Sequence, residues 1–319
     1  DILPKPLRAG KSAGQLTKEG AWLLDPTGKL QPGALMAPPE GDAGTGMVAT
    51  NAVRKRTGNI SDGASAFSMN VLDAPLKAVH RDIDIVTTPD GAPVAMVHTN
   101  NCSSDLNAWV QLFGEFAELI GHGQTPAKLY RTLFEVSQRA DRDAGGLLNY
   151  SCLSGENITD VETGRPLFVR APHSQMNLAN FMLAQLYGCF APLKIGMDIL
   201  VKEEGVQTDV MIAQGGLFKT PVIGQQVLAD CLGLPITVME TAGEGGPWGM
   251  AVLAVFAKWH GERALADFLD DEVFHNPESS TLLPTKEGRL GCQKFIAAYR
   301  AGLTVEREAG KAVADPADA

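Results

Sequence analysis

The sequence lacks the short signatures that assign a chemistry on sight. It has no Gly-x-Ser-x-Gly elbow, so nothing supports a Ser-His-Asp hydrolase. It has no Walker A loop, and neither Gly215-Gly216 nor Gly243-Glu244-Gly245-Gly246 completes a Gly-x-Gly-x-x-Gly dinucleotide fingerprint. The histidines, His80, His98, His122, His173, His260 and His275, form no His-x-His or His-x-x-x-His pair, which argues against zinc, and no metal-ligating residue is assigned. Five cysteines, Cys102, Cys152, Cys189, Cys231 and Cys292, are scattered, odd in number and without Cys-x-x-Cys spacing, a usage that favours reduced cytosolic thiols over a disulfide framework. No run of Lys and Arg offsets a net charge of -10, so nucleic-acid binding through a basic surface is not expected. No apolar run reaches the roughly 18 residues of a membrane span, and the opening DILPKPLRAG is neither signal nor transit peptide. The initiator Met is missing and the first element reads as a loop, from which the numbered chain is expected to begin inside a longer polypeptide.

What is present is a globular composition, 45% hydrophobic and 20% charged over 319 residues, enough for one or two domains that take small-molecule ligands in the cytoplasm. Residues 208–254 organise the rest. Val210 to Ala213 read as a strand ending at Gly215-Gly216, where a chain without Cβ atoms can turn tightly against a flat ligand. Thr220 before Pro221 predicts an N-cap and a helix from Pro221 to about Cys231, stopped by Gly233. Ile236 to Met239 is the next strand. A small-residue helix, Trp248 to Trp259, can pack closely at Gly249, Ala251 and Ala254.

The Gly215-Gly216 pair, three residues, Thr220, then Gln225 and Ala229-Asp230 resemble the adenosine motif of the FGGY carbohydrate kinases, the sugar kinases of the hexokinase and actin superfamily. Three other stretches agree and occur in the family's order. The fold the resemblance implies is α/β: an actin-like, ribonuclease H-like ATPase domain with a mixed sheet flanked by helices. The implied activity is ATP-dependent phosphorylation of a sugar hydroxyl with Mg2+, with motifs closer to xylulokinase or ribulokinase than to glycerol kinase. The implied partners are the sugar and ATP, with no nucleic acid and no membrane, and a homodimer is compatible with it. Family kinases have a first domain carrying the Asp-x-Gly-Thr phosphate loop and most sugar contacts. This chain is therefore expected to be the C-terminal part: 1–45 ending the N-terminal domain, 46–270 the ATPase-like domain, and 271–319 a loop, helix and tail.

Asp42 in Gly41-Asp42-Ala43-Gly44-Thr45 matches the family's Gly-Asp motif, which would make it the catalytic base and a substrate contact. A rival reading makes Asp42 to Thr45 the Asp-x-Gly-Thr loop itself, but Pro38-Pro39 precede it and prolines do not sit in a central strand. Helix capping explains Asp42 without chemistry. Gly63-Ala64-Ser65 resembles the second phosphate motif, with Ala64 where the family usually has Thr; an ordinary turn is the plain alternative. By the same resemblance Gly215, Gly216 and Thr220 would lie at the adenine, although capping suffices to explain Thr220.

Asp90-Gly91 joins two alternating runs as a hairpin, and three antiparallel strands before the first long helix suit the actin-like half-fold. Helices are expected from Asp105 to Ile120 and from Thr125 to about Ala140, with Trp109 read as core. Glu156, Arg165 and Arg170 are cleft candidates by resemblance, or surface ion pairs. Asn177 to Glu204 reads as largely helical, broken or kinked near Pro192, 276–287 as a polar loop, Cys292 to about Glu308 as a helix and 312–319 as a disordered tail. Two further readings stay open: a nucleotide-binding or interaction module without catalysis, supported by Ala64, and an unrelated Rossmann-like enzyme, opposed by the antiparallel strands.

Overall fold

The computed structural model describes residues 5–240, 245–275 and 278–316. Helix α1 (Lys18–Leu24) and helix α2 (Asp42–Ala49) precede four strands, β1 (Thr57–Asp62), β2 (Ala66–Val71), β3 (Asp84–Thr87) and β4 (Pro93–Thr99). Helices α3 (Ser104–Leu119) and α4 (Pro126–Ser137) lead to a small hairpin of β5 (Leu147–Tyr150) and β6 (Leu167–Arg170), then to α5 (Leu178–Asp198). The chain continues through β7 (Val210–Gly215), α6 (Ile223–Leu232), β8 (Ile236–Met239), α7 (Gly245–Trp259), α8 (Leu265–Phe268), β9 (Ser279–Leu282) and α9 (Lys286–Ala312). Ala242 to Glu244, at the start of the expected glycine-rich turn, lie outside the described residues.

Seven strands form one mixed sheet in the order β3-β4-β2-β1-β7-β8-β9. The pairs β1–β7 and β7–β8 are parallel and the others antiparallel. Side chains alternate between its faces as the period of two requires. Ala95 and Val97 of β4 join Ile60 of β1 and Met211 and Ala213 of β7 under α5, α6 and α9. Val94 of β4 and Met69 and Val71 of β2 face α2, α7 and α8. The result is a sheet covered by helices on both faces, as the resemblance implied.

Helix α5 is apolar nearly all round because it lies in the middle of the larger core. Of the break or kink expected at Pro192, no break occurs, and the α-helix runs on from Leu178 to Asp198. Proline removes the hydrogen bond to the carbonyl four residues back, and here that carbonyl, of Gly188, accepts from the Ser151 hydroxyl instead at 3.4 Å. The α-helix gives way only at Ile199, to a wider turn that Gly205 ends in the left-handed conformation.

Three further expectations need correction. Cys231 of α6 and Cys292 of α9 form a disulfide, so not all five thiols are reduced; Cys102, Cys152 and Cys189 are free and buried. The two helices pack together across 61 residues of chain, a pairing that no local spacing encodes. The stretch 276–287 is not all loop, because Ser279–Leu282 pairs with β8 as a polar edge strand, with Thr237 and Thr281 hydroxyls bonded at 2.8 Å. Finally, α9 begins at Lys286, capped by the Thr285 hydroxyl, and runs to Ala312. Asn276, Pro277 and residues 317–319 lie outside the described residues.

Helices α2 and α7 touch backbone to backbone. A Cβ at Gly249 would meet the Thr45 carbonyl, whereas Ala251 and Ala254 are exposed. Gly249→Ala should therefore destabilise the protein by roughly 1–3 kcal/mol, although alanine is the better helix former by about 1 kcal/mol. Urea unfolding checks this; an unchanged or raised midpoint would show that the helices can separate freely.

Candidate active site

Parallel pairing of β1 with β7 ends with Asp62 opposite Gly215. This places the turn after β1, Gly63-Ala64-Ser65, beside the loop after β7, Gly215-Gly216-Leu217. The turn is held from behind: the Gly63 carbonyl accepts from the Ser103 hydroxyl at 2.6 Å and the Ser103 amide at 3.2 Å, and the Ala64 carbonyl from the Cys102 amide at 2.8 Å. The Gly63 amide is spent on the Ser65 carbonyl at 2.8 Å, which leaves Ala64 and Ser65 as the turn's donors.

The segment Asn100 to Ser103 is itself braced by Glu156. This fully buried carboxylate accepts from the Asn100 amide at 2.9 Å, the Asn101 amide at 3.2 Å and the Asn101 side chain at 3.1 Å. Burial nonetheless pushes its carboxyl above the usual range. Glu156 thus sits behind the Gly63-Ala64-Ser65 turn. Arg165 does not join it: its guanidinium binds the carbonyls of Val313 and Gly164, and its amide donates to Glu306 at 2.8 Å. Arg170 is exposed on β6, and Trp109 packs edge-on against Phe181 in the core.

At the other loop, Gly215 has φ 124° and lies so close to Asp62 that a Cβ would meet both its carbonyl and its carboxylate. The predicted helix start is displaced. Thr220 caps nothing, because Pro221, Val222 and Ile223 make a tight turn, with Val222 at φ 74° and the Ile223 amide on the Pro221 carbonyl at 3.0 Å. Helix α6 starts only at Ile223, where Gly224 passes so near the Leu217 carbonyl that no Cβ would fit. A β-branched residue at positive φ is strained, and such strain gathers at binding sites.

A cavity of about 560 Å³ opens against this loop, walled by Gly215, Phe218, Lys219, Pro221, Val222 and Gln225 on one side and by β8 and β9 residues, including Glu240 and Glu278, on the other. Gly216 and Thr220 flank the wall without lining it. Two residues of the motif are architectural. The Gln225 amide donates to the carbonyls of Ile236 and Ser280, both at 2.8 Å, and Asp230 accepts from the Thr285 amide at 2.6 Å and the Thr285 hydroxyl at 3.1 Å. They tie α6 to β8, β9 and α9.

Asp42 stands at the first position of α2, capped by Gly41. Its carboxylate is exposed and, among the described residues, accepts from the Ala43 amide at 2.8 Å. It lines a second cavity of about 390 Å³ together with Ser65, Phe67, Met96, His98 and Glu40. Two expected site residues, Asp42 and Ser65, therefore share one cleft. Glu40, missed in the sequence, also lines it, and desolvation raises its carboxyl.

Asp62 was also missed. Its carboxylate, 6% exposed, accepts from the Leu217 amide at 3.0 Å, and burial pushes its carboxyl up to about 7. The only local sign was an Asp before the turn glycine. Among the described residues no group of three or more His, Cys, Asp or Glu side chains could hold a metal, and no helix is long and apolar enough to cross a membrane.

With this geometry in hand, comparison with known proteins gives the class. Residues 58–258 match the FGGY family of carbohydrate kinases, C-terminal domain, and the chain belongs to that family. Its fold is that of a xylulose kinase from Lactobacillus acidophilus (TM-score 0.74, 18% identity, 96% of this chain and 58% of that one). A gluconate kinase from the same organism (0.72, 17%, 97% and 58%) and a glycerol kinase from Plasmodium falciparum solved with ADP (0.68, 13%, 94% and 55%) share it. The chain spans a little over half the length of each of these kinases. No curated protein matches it in sequence.

Glu306, which takes the Arg165 amide, is fully buried with one oxygen unpartnered, and burial raises its carboxyl to about 7. Unfolded, it titrates near the ordinary 4.5. Between those values the folded state holds the proton and the unfolded state has lost it, so stability falls as pH rises from about 4.5 to about 7. Glu306→Gln should match the wild type at pH 4.5 and exceed it at pH 8, by on the order of 2 kcal/mol. Thermal melts across that range test this; a constant difference would refute it.

Proposed function

We propose that the chain is the nucleotide-binding part of a carbohydrate kinase that transfers the γ-phosphoryl group of ATP to a sugar hydroxyl, with a ketopentose such as xylulose or ribulose as acceptor. The observation that carries the reading is the pairing of Asp62 with Gly215, which sets a phosphate-type turn beside an adenosine-type loop while Asp42 shares a cleft with Ser65. The adenosine would take the larger cavity at Gly215, flanked by Gly216 and Thr220. Its phosphates would reach the turn of Gly63, Ala64 and Ser65, where the Ala64 and Ser65 amides and the Ser65 hydroxyl are the donors.

Asp42, exposed at a helix N-terminus in the cleft, would orient the sugar hydroxyl and accept its proton as it attacks. Mg2+ would arrive on the phosphates, in keeping with an ion ordinarily held by one or two carboxylates plus substrate phosphates. It would neutralise their charge. Residues 1–45 would then end the kinase's first domain, 46–270 would form the ATPase-like domain, and 271–319 would close it. A second reading, a nucleotide-binding module without catalysis, is favoured by Ala64, which supplies no hydroxyl to the phosphates.

The full-length protein decides between them. Phosphorylation of xylulose, ribulose, gluconate and glycerol should be measured with ATP and Mg2+, and ADP affinity by calorimetry. Asp42→Asn should lower turnover by about 10²–10⁴-fold and leave ADP affinity unchanged. Unimpaired turnover would remove Asp42 as the base, and a wild type that binds ADP but phosphorylates none of these would favour the second reading.

A further inference from the structure

We propose that Asp62 is a positioning residue for the nucleotide, its side chain locking the Gly215-Gly216-Leu217 loop to the Gly63-Ala64-Ser65 turn. The inference rests on the nucleotide reading above and adds to it a residue that never contacts the ligand. The β1–β7 ladder accounts for the backbone as far as Asp62 and Gly215 and no further. The next amides, of Gly216 and Leu217, have left the sheet and need another acceptor. The Asp62 carboxylate provides one for Leu217: Oδ2 accepts from its amide at 3.0 Å.

The position of Asp62 in the chain gives this bond its consequence. Its backbone runs directly into Gly63-Ala64-Ser65, so one residue grips the loop with its side chain and carries the turn on its main chain. The distance and angle between the two are set by a single rotamer. That rotamer is confined, because the side chain is 6% exposed and Gly215 presses on its carboxylate. Oδ1 is buried without a partner, so the site holds the group for the Leu217 amide it meets and not for a full set of bonds. The neighbouring ionisable groups are the Lys219 ammonium, which favours the charged form, and the buried Cys102 thiol. Since the ladder survives without this side chain, its loss should loosen the loop and spare the fold.

The test compares Asp62→Ala, Asp62→Asn and Gly215→Ala with the wild type in three measurements: ADP affinity by calorimetry with Mg2+, hydrogen exchange over 214–218, and melting temperature. In Asp62→Ala we expect ADP affinity to drop about tenfold or more, with faster exchange over 214–218 and a nearly unchanged melt. Asparagine keeps an acceptor oxygen, so Asp62→Asn should bind within about threefold of wild type, well inside the loss expected for a missing hydrogen bond to a charged group. Gly215→Ala pushes a methyl into the same carboxylate and should weaken ADP likewise, which decides the matter should Asp62→Ala fail to fold. ADP affinity unchanged in Asp62→Ala, or in Gly215→Ala, overturns the proposal, as does an asparagine variant as weak as the alanine one. A wild-type chain that binds no ADP removes the nucleotide reading and this proposal together; one that binds ADP with Asp62→Ala unaffected removes this proposal alone.

Discussion

The parallel pairing of β1 with β7 is the constraint on which the rest of the structure depends. Six registered pairs, Thr57 with Val210 through Asp62 with Gly215, join segments separated by most of the domain. Parallel strands cannot be joined by a short turn, so everything between them must be folded into the crossover. Here that crossover holds three more sheet strands, the β5–β6 hairpin and α3, α4 and α5. Because both strands point the same way, both of their C-terminal ends release loops on one edge of the sheet. Open α/β sheets bind ligands at such an edge. The antiparallel β2 adds to it, since β1 and β2 are joined there by the Gly63 to Ser65 turn.

Much of this was legible because it is encoded locally. The Asp90-Gly91 hairpin, the strand ending at Gly215, the stop at Gly233 and the apolar stripes of α3 and α4 all lie within a few residues of their signals. Most of the errors involved a contact that the local pattern does not show. Thr220-Pro221 is a sound capping signal, yet the approach of Gly224 to the Leu217 carbonyl delays the helix. Pro192 is a sound breaker, yet Ser151, on the segment after β5, takes the orphaned carbonyl. Cys231 and Cys292 meet only because α6 and α9 are neighbours.

The candidate site divides along the same line. Glycines were readable because they answer to backbone geometry, and Gly215 at φ 124° bears this out. Asp62, Glu40 and Glu156 were harder, because a carboxylate's meaning depends on what surrounds it. Glu156 was noticed for its position in a family loop and proves to be a strut behind the turn. Gln225 and Asp230 show the same thing from the other side. They carry part of the resemblance to the sugar kinases, yet their polar groups are spent on the backbone of β8, β9 and α9. A match at these two positions reports architecture more than chemistry.

That distinction bears on Ala64. In the phosphate role proposed for the Gly63-Ala64-Ser65 turn, Ala64 would supply no hydroxyl, and the weight would fall on main-chain amides. Main-chain donors are only as well placed as the turn that presents them. In this protein the turn is anchored through its carbonyls by Cys102 and Ser103, which stand on a segment braced by Glu156, and it is tied to the adjacent loop by Asp62. Two buried carboxylates thus bear on the orientation of a turn that they do not themselves form. Each must lose water to do so, and burial raises both carboxyls accordingly. A site that relies on backbone donors in place of a side-chain hydroxyl moves its electrostatic cost away from the ligand and into the residues that hold the backbone still.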